Sequence, residues 1–101
     1  MSMSRLPSDA PIPLASSVRI SDDAIFRELG DEAVVLDLAS GTYFGLNGVA
    51  LRIWQLIDRF GSLQAVRDAL VSEFDVDAAT ATRDLSSLVD ELSARGLVEI
   101  T

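Results

Sequence analysis

The side chains able to do chemistry in this sequence are carboxylates. Sixteen Asp and Glu stand against eight basic residues, all Arg, and there is no His or Cys. Several acids are neighbours: Asp22–Asp23, Asp31–Glu32 and Asp90–Glu91. Acid–base catalysis needs groups that converge on one substrate atom. Neighbours on a helix do not face each other, and neighbours on a strand point to opposite faces. These pairs therefore read as solvated acids at turns and on a helix face, and no catalytic residue is expected. Carboxylate oxygens can hold magnesium, but no spacing here specifies such a site, so no metal or cofactor is expected. The missing His removes the usual neutral-pH base, and the missing Cys removes disulfides and thiol chemistry. Gly41, Gly45 and Gly48 do not match a phosphate-cradling loop. The composition argues against an enzyme.

Binding chemistry is better represented. The net charge of −8 repels phosphate backbones, favours cationic partners and maintains solubility. Two aromatics invite a ligand reading. Trp54 lies beside an apolar helical stripe and is expected in the core. Tyr43 lies on a segment that can form an exposed sheet edge.

The elements that position these residues centre on Val34 to Leu56, VVLDLASGTYFGLNGVALRIWQL. Ser40–Gly41 supplies a turn between two apolar segments. Thr42 to Leu46 carries β-branched and aromatic residues suited to a strand. Asn47 stands where the period changes from two to about 3.6 and reads as the N-cap of a helix. Val49, Ile53, Leu56 and Ile57 are expected on its buried face, with Trp54 on the shoulder.

Ala24 to Leu29 reads as a first strand, Gly30–Asp31 as a hairpin turn and Ala33 to Leu38 as a second strand. With Thr42 to Leu46 they predict an antiparallel meander, the second strand central. Three helices follow. The first covers about Gly48 to Arg59 and stops at Gly61. Ser62 caps the second, where Leu63, Val66, Leu70 and Phe74 recur at helical spacing. Asp77 caps the third, which runs to about Arg95 and stops at Gly96. Ala78, Ala81, Leu85, Leu88, Val89 and Leu92 form its apolar stripe. Val18–Ile20 and Leu97–Ile100 read as short extended ends.

The predicted architecture is an α+β domain, winged helix-turn-helix-like, with a three-stranded antiparallel sheet followed by three helices. Residues 18–101 form the domain, and 1–17, with Pro7, Pro11 and Pro13, read as a flexible tail. No apolar run approaches the ~20 residues of a membrane span, and no secretory signal is visible, so a cytoplasmic protein without a membrane partner is expected.

The pattern D-L-x-S-G-x-Y-F-x-L-N-x-x-x-x-x-I-W-x-L, from Asp37 to Leu56, resembles the PqqD-like peptide-recognition domains. They are precursor-peptide-binding proteins of pyrroloquinoline-quinone, lasso-peptide and related pathways. The resemblance extends over roughly Ile20 to Ile100. It implies the same architecture and a non-catalytic chaperone that binds the leader segment of a ribosomal precursor peptide. The leader would add a strand to the third strand, against the third helix. The processing enzyme receiving it could be a leader protease, a radical enzyme or a cyclase.

The edges of the meander agree with this. The first strand carries Arg27 and Glu28, which discourage further pairing, whereas Thr42 to Leu46 carries no charge. An uncharged edge is covered by the chain's own C-terminal segment, used in a homodimer, or open to a partner strand. On the last reading the peptide-binding residues are Thr42, Tyr43, Phe44, Gly45 and Leu46 on the edge. Backbone bonds are expected through Thr42, Phe44 and their neighbours. Tyr43 would line apolar pockets with Ala81, Leu85, Leu88 and Val89, and Asp84 would meet a basic or hydroxyl group. The rival is a winged-helix transcription regulator. A DNA-reading helix should be basic. From Asp77 to Arg95 the acids Asp77, Asp84, Asp90 and Glu91 outnumber Arg83 and Arg95, so no nucleic-acid partner is expected.

Overall fold

A computed structural model describes residues 15–101. The expected strands form β2 (Ala24–Leu29), β3 (Glu32–Asp37) and β4 (Tyr43–Asn47), and the helices form α1 (Gly48–Phe60), α2 (Leu63–Glu73) and α3 (Ala78–Ala94). β1 (Val18–Ile20) and β5 (Val98–Ile100) complete the element order. The domain is α+β, as expected. Most of the expected tail lies outside the described residues. Its last part is tied down: the Ser16 carbonyl accepts from Leu63 N–H, and Ser17 exchanges backbone bonds with Thr101.

The sheet order β2-β3-β4 is the expected meander with β3 central. Phe26, Val35 and Phe44 lie side by side across it, as do Ile25, Leu36 and Tyr43. Paired residues share a face, so the first row belongs to the inner face and the second to the outer. The inner face meets α1, where the Trp54 ring stacks 6.0 Å from that of Phe26. Trp54 is thus a core residue.

Val49 corrects the expected face of α1. It is exposed, and burial begins one turn later with Ile53, Trp54, Leu56 and Ile57. Asn47 is a second correction. It occupies the N-cap position but makes no side-chain cap bond. It is still the last residue of β4, opposite Glu32, so its side chain belongs to the outer face and not to the helix end. Gly48, with φ of 53°, makes the turn from strand to helix, a conformation that side chains with a Cβ seldom adopt.

The other caps form as read. Gly61 ends α1 in the left-handed region and donates to the Ile57 carbonyl. Ser62 Oγ accepts from Ala65 N–H, and Asp77 Oδ1 accepts from Thr80 N–H at 2.7 Å. Arg52 on α1 and Glu73 on α2 form a bidentate pair at 2.6 and 2.8 Å, joining the two helices.

Asp77 gives a pH prediction. The hydrogen bonds from Thr80, backbone first, hold its carboxyl below the ordinary value. A lowered folded-state pKa adds stability that is complete above the ordinary Asp value and lost as pH falls through the lowered one. Asp77→Asn keeps an acceptor but does not titrate. Its melting temperature should therefore fall less steeply than wild type on the acid side; parallel acid limbs would show that the cap contributes no linkage.

The two ends of the chain carry the main addition to the expected fold. β1 and β5 pair with each other, Val18 opposite Ile100 and Ile20 opposite Val98. They form a separate two-stranded sheet. Val18, Leu97 and Val98 are buried there, adding to a core that includes Leu63, Val66, Leu70, Leu85, Val89 and Leu92.

Candidate functional site

With β5 committed to β1, the far side of β4 has no paired strand among the described residues. The phase of the β3–β4 ladder decides what that edge offers. Asp37 N–H donates to the Thr42 carbonyl at 2.8 Å, so these two residues face each other as a hydrogen-bonded pair. Such pairs alternate along an antiparallel ladder. Val35–Phe44 and Ala33–Leu46 therefore exchange bonds, and Phe44 and Leu46 spend their backbone groups inward. Tyr43 and Gly45 direct theirs outward. This corrects the expectation that Thr42 and Phe44 supply the free groups: the Thr42 carbonyl is occupied by Asp37, and its N–H donates to Ser40 Oγ.

The turn before β4 is built by the side-chain carboxylate of Asp37. Asp37 is buried, and its oxygens accept from Ala39 N–H at 3.1 Å and Ser40 Oγ at 2.8 Å. Ser40 Oγ also bonds the Thr42 hydroxyl. Asp37–Leu38–Ala39–Ser40–Gly41 thus fixes where β4 begins and which of its residues face out.

The side chains divide the expected site into two groups. Leu46, Ala81, Leu85 and Val89 are 2%, 2%, 1% and 0% exposed and belong to the closed core. Tyr43 is 71% exposed, Asp84 is exposed, and Phe44 and Leu88 are half-buried. Of the expected site residues, Thr42, Tyr43, Gly45 and Asp84 are therefore exposed, Phe44 and Leu88 are half-buried, and the backbone of Thr42 is engaged within the turn. Ala78, expected on the apolar stripe of α3, is exposed because the buried face starts at Ala81.

Arg95 is a residue that sequence reasoning missed at this site. Its guanidinium carbon lies 4.9 Å from the centre of the Phe44 ring, a cation–π arrangement. The contact joins the C-terminal end of α3 to the inner side of β4. No local signal marks it, because the two residues are far apart in the chain.

Several carboxylates serve structural tasks. Glu73 pairs with Arg52, Asp68 with Arg67, and both Asp22 and Glu99 with Arg19. No cluster of three or more possible metal ligands occurs among the described residues. No helix among the described residues is long and apolar enough to cross a membrane. On α3, the exposed charges Arg83, Asp84, Asp90 and Glu91 leave the helix surface acidic.

Together these features define an α+β domain with one uncharged sheet edge whose backbone groups are directed outward. Residues 32–98 match the family model described as coenzyme PQQ synthesis protein D, PqqD. The fold is similar to that of TbiB1 in complex with the TbiA(beta) leader peptide, with a TM-score of 0.77 and 38% identity over 80% of this chain and 94% of that one. It is also similar to lasso peptide synthetase B1 complexed with the leader peptide, with a TM-score of 0.75 and 30% identity over 82% of this chain and 98% of that one. No curated protein matches the chain. The chain belongs to the PqqD family.

Proposed function

We propose that this protein binds the leader segment of a ribosomally made precursor peptide as a strand added to β4, and presents it to a processing enzyme without catalysis of its own. The observation that carries this reading is the outer edge of β4, unpaired among the described residues, with the outward backbone groups of Tyr43 and Gly45. Two similar proteins, TbiB1 and a lasso peptide synthetase B1, have been solved with leader peptides. By the resemblance to PqqD-like domains, the receiving enzyme is a leader protease, a radical enzyme or a cyclase.

Magnitudes say what the side chains must add. The N–H and C=O groups of Tyr43 and Gly45 offer four ladder bonds, together about 4 kcal/mol net. Ordering a flexible peptide costs roughly 2–5 kcal/mol. The backbone ladder alone is close to break-even, so affinity rests on apolar anchors. Alternate peptide side chains would fall on the inner side, against Phe44, Leu88 and the Arg95 end of α3. Asp84 would meet a basic or hydroxyl group of the peptide at the flank.

Titration with a synthetic leader, followed by fluorescence anisotropy, tests the reading. The cognate leader should bind with a Kd in the micromolar range or below, and a scrambled leader should bind far more weakly. Duplex DNA should not bind at ~150 mM salt, where specific DNA-binding proteins typically reach 10⁻⁸ M or better. Tight DNA binding, or equal affinity for scrambled and cognate leaders, would overturn the proposal.

A further inference from the structure

The inner face of the meander packs on the core, whereas its outer face has no partner among the described residues. Leu36, half-buried, stands between Ile25 and Tyr43, and Val34 stands between Arg27 and Gly45. The ladder continues one step beyond β2, with Leu38 N–H donating to the Asp23 carbonyl. Exposures of 39% for Ile25, 55% for Leu38, 64% for Leu29 and 71% for Tyr43 leave an apolar surface in solvent. Scattered apolar residues on a surface need no explanation, but contiguous ones mark an interaction site.

Acids bound this surface at both ends, Asp22 and Asp23 at one and Asp31 and Glu32 at the other, all exposed. Within it Arg27 is the single base. Two copies packed face to face would set acidic ends against acidic ends with little to offset them. A partner with an apolar patch and an Arg- or Lys-rich rim fits instead.

The face is also continuous with the proposed peptide site, because Tyr43 belongs to both. In an antiparallel ladder the residue opposite Tyr43 lies on the same face as Tyr43. A strand added to β4 would therefore extend the Ile25–Leu36–Tyr43 row by one peptide side chain. It would extend the Arg27–Val34–Gly45 row by another, beside the gap left by Gly45.

We infer that the outer face of the β2-β3-β4 sheet docks the processing enzyme through an apolar patch with a basic rim, and that a bound leader completes this surface. The inference rests on the reading that the leader adds to β4. The domain then displays the peptide in two directions: inner side chains anchor it, and outer side chains meet the enzyme. Docking strengthens when the leader is present, and by linkage the enzyme tightens leader binding by the same factor.

The test uses the full chain, a synthetic cognate leader and two purified candidate processing enzymes from the source organism, a leader protease and a cyclase. Enzyme binding is measured with and without leader, for wild type and for the double variant Ile25→Lys with Leu38→Lys. Both positions lie off β4 and are partly exposed, and Leu29→Lys, at the most exposed aliphatic position of the face, serves as a milder second variant. The lysines should leave leader affinity within about twofold of wild type, as expected for sites without shared contacts. They should weaken enzyme binding by roughly tenfold or more, the effect of losing interface anchors. Leader should strengthen wild-type docking and do so less in the variant. If leader binds wild type but neither enzyme docks, or docking is indifferent to the lysines, the outer face is not the docking surface. If wild type sediments as a dimer that the lysines dissociate, the face joins two copies and the inference is overturned. Failure of wild type to bind leader at all would instead remove the reading on which it rests.

Discussion

Proline at Tyr43 should cost this protein its leader binding and leave its fold intact, whereas proline at Phe44 should damage the fold. Both substitutions remove one backbone N–H from the same five-residue strand. The difference lies in direction. Tyr43 points its N–H to the free edge, so its loss leaves the β3–β4 ladder whole. Phe44 shares a hydrogen-bonded pair with Val35, whose side chain is fully buried. Its replacement leaves the Val35 carbonyl unpaired and withdraws a half-buried ring, together costing roughly 3–6 kcal/mol. Against a total stability of about 5–15 kcal/mol, that is a large share. Tyr43→Pro should weaken leader binding about tenfold or more, since an outward bond is lost and the proline ring obstructs the incoming strand. Tyr43→Ala is the control: it removes the exposed ring and keeps the N–H, so it should bind better than Tyr43→Pro. Denaturant melts and leader titrations on the same samples separate the two effects. If Tyr43→Pro is folded and binds leader as wild type does, the β4 edge is not where the peptide docks.

The second large effect concerns α3. Leu85→Ala should destabilise the domain by about 2–5 kcal/mol, because the side chain is enclosed and the cavity left behind closes only in part. Leu85 is 1% exposed and packs in the same core as Val66, Leu70 and Leu92. Any loss of peptide affinity in this variant would follow the loss of folded protein. Leu88→Ala should behave in the opposite manner. Leu88 is half-buried and packs against the rim of that core. Truncating it should lower the melting temperature modestly and weaken leader binding more than stability predicts. Urea unfolding gives the first quantity, and titration well below the melting temperature gives the second. Equal losses of affinity from the two variants, each fully folded, would contradict the assignment of Leu85 to the core and Leu88 to the surface.

This contrast shows where sequence reading reaches its limit on α3. Ala81, Leu85, Leu88, Val89 and Leu92 recur at helical spacing and announce an amphipathic helix. A stripe of that width contacts more than one neighbour, and its period does not say which flank meets the core. Only the packing of α3 against α2 and β5 places Leu85 and Val89 inside and leaves Leu88 at the margin. Arg95 over Phe44 is beyond local reading for a related reason, since the geometry arises only when the end of α3 meets the sheet.

The sequence by itself determined the elements and their order, because the signals that set them are local. Ser62 and Asp77 bond to N–H groups three residues ahead, and Gly61 and Gly96 take the left-handed conformations that end α1 and α3. Gly30–Asp31 closes a hairpin between residues adjacent in the chain. The charge-free run from Thr42 to Leu46 singled out the strand whose outer side has no paired strand among the described residues, without deciding whether it is covered or open. Tertiary structure decided the rest. Three-residue strands at opposite ends of the chain carry too little pattern to predict their pairing, yet β1 and β5 find each other and leave the outer side of β4 without a paired strand among the described residues. The direction of the edge was also undetermined by residue type. It depends on the Asp37–Thr42 pair, which sets the ladder's phase and turns Tyr43 and Gly45 outward. A shift of one residue would exchange the inward and outward groups, because strand periodicity is two.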